Sequence, residues 1–270
     1  MMFKRRALVV SAVAWPAASA WALQQKSLGD PLRVGVDHAL LDSGLATALQ
    51  RGFAADTGIA VKLERGAALT LLEALERGEI DAVLTNAPEA ETKLDKQGLV
   101  HDRQAIAAGE FVIVGPAVRG KGKAAEDVLG AALSHDAASA LKRLKDAPPD
   151  SFVFLSAGDG SGTHAAEQAL WRAAGIAPAA PWYVTLKPGE NLMAQARTRG
   201  AFALVERGAW AAHGGAPLAL RVDGDPRLAE EIHAMRSFRV NHPAGKIFVA
   251  WIAGAKGRRV VAKERGYRGP

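Results

Sequence analysis

The chain has 270 residues, 49% of them hydrophobic, with no cysteine and a formal net charge of +6. Without cysteine it has neither a disulfide framework nor a thiolate metal site, so a packed core must carry its stability. Three cations, Lys4, Arg5 and Arg6, stand at the very start, the remainder carries +3, and no basic run is interleaved with aromatics; nucleic acid is not an expected partner.

Those cations precede the apolar segment Ala7–Trp15 and the small-x-small sequence Ala20-Trp21-Ala22. Positive, then apolar, then small is the pattern of a cleavable export signal, here residues 1–22. The apolar run is shorter than the roughly 20 residues that span a bilayer. The expectation is a mature protein in the periplasm.

From there strand and helix patterns alternate. Leu32–Val36 predicts a strand, Leu45–Ala55 a helix, Ile59–Leu63 a strand, Leu69–Arg77 a helix stopped by Gly78, and Asp81–Thr85 a strand. Phe111–Pro116 is a continuous apolar strand. Helices are predicted over Ala124–Ala132 and Ser134–Lys145, a strand at Phe152–Leu155, and a helix that Gly175 ends. A helix at Asn191–Thr198, a strand at Ala201–Val205 and two C-terminal helices, Ala244–Trp251 and one from Lys256, complete the chain. The alternation predicts α/β architecture with helix-covered strands. Crossings at Phe111–Pro116 and near Phe238–Pro243 would make the middle section an inserted unit. The expected organisation is lobe I at 23–114 plus 240–270, lobe II at 115–239, and a cleft between them.

On such sheets ligands sit beyond the carboxyl ends of strands. Four loops qualify: Asp37–Gly44, Arg65–Ala68, Thr85–Pro88 and Ser156–Thr163. The last, Ser156-Ala-Gly-Asp-Gly-Ser-Gly-Thr163, opens a helix with glycines and hydroxyls, the makings of an anion cradle. An ordinary capped helix would look the same locally.

Several stretches in order decide between these readings. They are Asp42-Ser-Gly-Leu45, Ala87-Pro-Glu-Ala-Glu91, Phe111-Val-Ile-Val-Gly-Pro116, Gly158-Asp-Gly-Ser-Gly-Thr-His164, Leu170-Trp-Arg-Ala-Ala-Gly175, Trp182-Tyr183, Glu206-Arg-Gly-Ala-Trp210 and Gly224-Asp-Pro-Arg-Leu228. Together they resemble the periplasmic tungstate-binding component of ABC importers. That family is a two-lobed, type II solute-binding protein without enzymatic activity. The resemblance implies a small oxyanion ligand, with tungstate or molybdate as the default, held without metal or cofactor. It also implies a membrane permease as partner and a monomeric state. Ser43, Gly44, Ser161, Gly162 and Thr163 carry over as ligand-binding positions, with Asp37 and His38 beside them in the first loop. Ser156, Asn86 and Arg207 are further candidates.

Two departures bear on the ligand. The family's Thr/Ser-rich first loop is here Val36-Asp-His-Ala-Leu-Leu41, and its Ser-Arg-Gly-Asp is here Ser156-Ala157-Gly-Asp159. A lost arginine removes charge-assisted hydrogen bonds worth about 1.5–3 kcal/mol each. A carboxylate about 4 Å from a bound anion would add repulsion of about 4 kcal/mol at an effective dielectric near 20. Asp37 can equally brace its turn. His38, if protonated, would recover part of the loss, and Arg207 could replace the missing cation unless it pairs with an acid at its own turn.

Three functions follow from different premises. One is an oxyanion-binding transport protein. Another is the same scaffold carrying a different small polar solute, or acting as a sensor. The third is a hydrolase using Ser161, His164 and Asp159, although these lie within six residues and no Gly-x-Ser-x-Gly elbow occurs. The histidines at 38, 101, 164, 213, 233 and 242 lack metal-site spacing. Trp171, Trp182 and Trp210 read as packing.

Overall fold

The first strand, β1 (Leu32–Asp37), has alternating positions fully buried and begins a sheet to which every other strand is joined. The computed structural model describes residues 26–118, 128–130, 133–239 and 242–270, so the export signal expected at residues 1–22 and most of the helix expected at Ala124–Ala132 lie outside the described residues. After β1 come α1 (His38–Asp42), α2 (Leu45–Thr57), β2 (Val61–Gly66), α3 (Ala68–Arg77), β3 (Ala82–Thr85), α4 (Pro88–Lys96) and the long β4 (Val100–Pro116). The middle of the chain supplies α5 (Ala137–Asp146), β5 (Phe154–Ser156), α6 (Gly162–Ala173), β6 (Tyr183–Thr185), α7 (Leu192–Arg199), β7 (Phe202–Glu206), α8 (Arg207–His213) and β8 (Leu218–Val222). Then β9 (Ala229–Ser237), α9 (Pro243–Ala253) and α10 (Ala255–Val261) close it.

The strand order is β2-β1-β3-β9-β4-β7-β5-β6, with β8 also on β4. β1 pairs β2 and β3 in parallel, and β9 runs antiparallel to both β3 and β4. β4 is shared. Its first part, Val100–Glu110, pairs β9, and Phe111–Pro116 pairs β7 and β8. One strand therefore passes between two half-sheets, the fold of a two-lobed α/β protein.

Each half-sheet is buried on both faces, which is why its strands read as apolar runs. In the first, Leu32, Val34 and Val36 pack with Phe53, Phe248 and Ile252. Val83 and Met235 point the other way, against Leu71, Leu72 and Leu75 of α3. In the second, Phe111, Ile113, Phe202 and Leu204 meet Phe154, Trp171 and Trp182. Their neighbours Val112, Val114, Ala203 and Val205 face Leu155 and Leu218. Trp171 and Trp182 are core residues, as their spacing predicts.

The return crossing is not near Phe238–Pro243. Thr85↔His233, Ala82↔Arg236 and Val100↔Ser237 pairings place β9 in the first half-sheet already at Ala229–Ser237. Glu230, Glu231 and His233 interrupt its apolar pattern, so the strand is hidden from a hydrophobicity reading. The same holds for Val100–Glu110, where only a few positions are buried, and for the charged helix α4.

Candidate functional site

Three of the four flagged loops meet at one carboxylate. Asp37 ends β1 and caps α1: its Oδ1 accepts the Ala39 N–H at 3.2 Å. Its Oδ2 accepts the Ala68 N–H at 3.0 Å, from the first residue of α3, and the Gly162 N–H at 3.0 Å, from the first residue of α6. The side chain is fully buried. Burial pushes its pKa up from the ordinary carboxylate value, against the opposing pull of the Gly162 and Ala39 amides.

The fourth loop supplies Asn86. A Cβ on Gly162 would stand 1.7 Å from Asn86 Oδ1, so only glycine permits this approach. Asn86 Nδ2 donates to Glu230 Oε1 at 2.6 Å. Glu230, from β9, is in turn a hydrogen-bond partner of Glu206, from β7. Glu206 caps α8 by accepting the Gly208 and Ala209 N–H groups, each at 2.8 Å. Burial raises Glu206 to about 7, and burial together with the Glu206 charge raises Glu230 well above the usual glutamate value. The contact between them favours the ionised form of Glu206 and the neutral form of Glu230.

Beside this buried polar layer lies a cavity of about 600 Å³. His38 and Asp42 of α1, Arg65 of β2, Asp159, Ser161 and Thr163 of the α6 loop border it, together with α7, Glu206 and α8. His38 Nε2 stands 3.8 Å from Asp159 Oδ2. Arg65 forms a bidentate pair with Asp42 at 2.6 and 2.9 Å. His213 of α8 bonds the Asp42 carbonyl through Nε2 at 2.8 Å, tying the second half-sheet to α1. Arg197 of α7 also borders the cavity and donates to the His213 carbonyl at 2.6 Å.

The sequence-predicted residues separate accordingly. His38, Ser161 and Thr163 line the cavity; Asp37 and Gly162 do not line it but hydrogen-bond each other directly behind the lining residues His38 and Ser161 that adjoin them in the chain. Ser43 and Gly44 do not line it. The Ser43 hydroxyl donates to the Leu40 carbonyl and accepts from the Leu45 N–H and from Tyr267, the last at 2.6 Å. Gly44 has φ 88° and precedes α2. Ser156 is fully buried and does not line the cavity. Arg207 is held between Glu110 and Asp223, the latter at 2.6 Å, which is the ion-pair alternative and not a replacement cation. Asn86 bonds Glu230 and sits against Gly162, and it does not line the cavity either. Ser43 and Arg207 thus turn away from the cavity because nearer acceptors and acids claim them.

Arg65 and Arg197 border the cavity without having been predicted as ligands. Arg65 opens one of the flagged loops, which is a usable signal; Arg197 lies on a helix with no distinguishing pattern. Among the described residues no group of three or more His, Asp or Glu side chains is placed to hold a metal. Ser161, His164 and Asp159 each serve the local backbone: Ser161 Oγ accepts the His164 N–H, His164 Nδ1 accepts the Gly160 N–H, and Asp159 Oδ1 accepts the Ser161 N–H.

A model of the PBP superfamily domain matches residues 24–237. The chain belongs to that superfamily. Among PBP relatives, a tungstate-binding protein of Peptoclostridium acidaminophilum is 28% identical over 232 residues, 82% of this chain and 77% of that one. The solved tungstate ABC transporter structure from Geobacter sulfurreducens is 27% identical with a TM-score of 0.71, covering 86% of this chain and 98% of that one. The tungstate-binding protein of Desulfovibrio alaskensis is 25% identical with a TM-score of 0.67, covering 89% and 99%. No helix among the described residues is long and apolar enough to cross a membrane.

Proposed function

We propose that this PBP chain is the periplasmic solute-binding component of an ABC importer, that it holds a small oxyanion between its lobes, and that it hands this solute to a membrane permease without chemistry. One observation carries the reading. The first amides of α3 and α6, helices on opposite half-sheets, both point at a single buried oxygen 3.0 Å away. Two helix N-termini converging across a cleft are an oxyanion-binding geometry. Relatives named for tungstate share the fold, which makes tungstate or molybdate the default. The strand pairings support lobes at 26–110 with 229–270 and at 111–228, replacing the boundary at 239. A monomer is the expected working unit, exported by residues 1–22.

A second reading, the same scaffold with another small polar solute, is favoured by the cavity. About 600 Å³ falls within the roughly 300–1,000 Å³ of sites for organic ligands. A thermal-shift series with tungstate, molybdate, sulfate, phosphate and small organic anions separates the two. Ligand at about 100 times its dissociation constant stabilises the fold by about 2.7 kcal/mol. A shift with tungstate or molybdate supports the oxyanion; a shift confined to an organic anion moves the assignment to the second reading. Ester turnover that disappears in Ser161→Ala would overturn both.

A further inference from the structure

We propose that Asp37 is a tethered occupant of the oxyanion position: its carboxylate takes the helix amides that a solute would use, and it holds the two halves together when no solute is bound. The inference rests on the binding-protein reading above and deepens it by naming the residue that sets which anions the site accepts.

A buried carboxylate normally needs a cation. Among the described residues Asp37 has no ion pair, and amides take that role. Two of them, Ala39 and Ala68, belong to the half-sheet of Asp37 itself. The third, Gly162, lies 125 residues away in sequence on the opposite half. A side chain that merely capped α1 would need the Ala39 bond alone. Instead Oδ2 bridges the N-termini of two other helices, each longer than α1, one from each side. A bound oxyanion would make the same bridge, with the same donor type, at the same point.

Closure follows from the contacts around this bridge. The Leu69 N–H donates to the Gly160 carbonyl at 3.1 Å, so α3 and the α6 loop also join through their backbones. Asn86 sits against Gly162 too closely for any side chain. His213 reaches the Asp42 carbonyl from α8. Each of these contacts crosses between the half-sheets.

The consequence is selectivity. A dianion entering the cradle meets a charge of its own sign and finds the amide donors already used. It must displace Asp37 or remain in the adjoining cavity. The position therefore discriminates against divalent oxyanions, while a neutral, donor-bearing side chain at 37 would restore the open cradle.

Asp37→Ser tests this directly, because serine still caps α1 and leaves Ala68 and Gly162 free. Titration with tungstate and with molybdate should show affinity roughly 100-fold tighter than in the parent chain, about 2.8 kcal/mol. Without any ligand, small-angle scattering should give a larger radius of gyration for the variant than for the parent. Equal oxyanion affinity in the two proteins, or an unchanged unliganded radius, overturns the proposal. If neither protein binds any oxyanion, the oxyanion reading fails, and the scattering comparison alone decides whether Asp37 holds the halves together. Should the serine variant fail to fold, Asp37→Gly, which also removes the acceptor and is tolerated at a helix N-cap, repeats both measurements with the same expected directions.

Discussion

Glu206 and Glu230, from opposite half-sheets, are brought together as buried carboxyl partners, and the contact favours the ionised form of Glu206 and the neutral form of Glu230. Carboxyls in contact in a buried site do not both ionise. Glu206 is the better anion, because the Gly208 and Ala209 amides stabilise its charge, whereas Glu230 accepts from the Asn86 side chain.

The pair makes stability fall with rising pH. Glu206 titrates near 7 in the folded protein and near 4.5 unfolded, so the folded state binds more protons across this interval. Its contribution is fully present below about 4.5 and lost as pH rises through about 7, an effect of at most about 3 kcal/mol. Glu230→Gln reproduces the protonated group, still donating to Glu206 and accepting from Asn86. Urea unfolding between pH 4.5 and 8 should show a flatter profile for Glu230→Gln, with equal or greater stability at pH 7.5. An unchanged slope would mean that the titrating proton lies elsewhere.

Gly162→Ala drives a methyl group into Asn86, 1.7 Å from Oδ1 and 2.8 Å from its carbonyl oxygen. Overpacking of this kind costs about 1–3 kcal/mol. The expected result is a lowered melting temperature together with a more open scattering profile. A variant as stable and as closed as the parent would show that the two loops do not touch in solution.

Arg207→Ala and Arg197→Ala should behave differently. Arg207 is bound to Glu110 and Asp223, so its loss lowers stability by about 1 kcal/mol and leaves solute affinity intact. Arg197 borders the cavity and, among the described residues, donates to a carbonyl and pairs with no acid; its removal should weaken anion binding by about tenfold with little effect on stability. Calorimetric titration of both variants checks the contrast, and the reverse pattern would exchange their roles.

Ser161→Ala removes the cap of α6, whose Oγ accepts the His164 N–H at 3.2 Å. The expected loss is about 1 kcal/mol, read by chemical denaturation. A hydroxyl that acted as a nucleophile would instead reveal itself in turnover of activated esters by the parent chain alone.

Much of this arrangement is legible before folding is considered. β1, α3, β3 and α6 appear where hydrophobic period, glycine stops and capping residues place them, because each is set by neighbours within a few positions. The α6 loop reads as an anion cradle for the same reason. β9 and the first part of β4 do not appear, since their charged residues are compensated only by distant partners: Glu230 by Asn86 and Glu206, Arg236 by Asp102.

The α/β class, the four loops at the carboxyl ends of strands, and the family to which their ordered motifs belong all follow from local sequence pattern. What the side chains in those loops do follows from tertiary packing. It turned Ser43 to Tyr267 and Arg207 to Glu110 and Asp223, and it brought Gly162 across 125 positions to Asp37. Local pattern specifies which backbone groups are left without partners at a helix end. Which distant atom satisfies them depends on how the halves pack, and here that atom is a carboxylate oxygen of the chain itself.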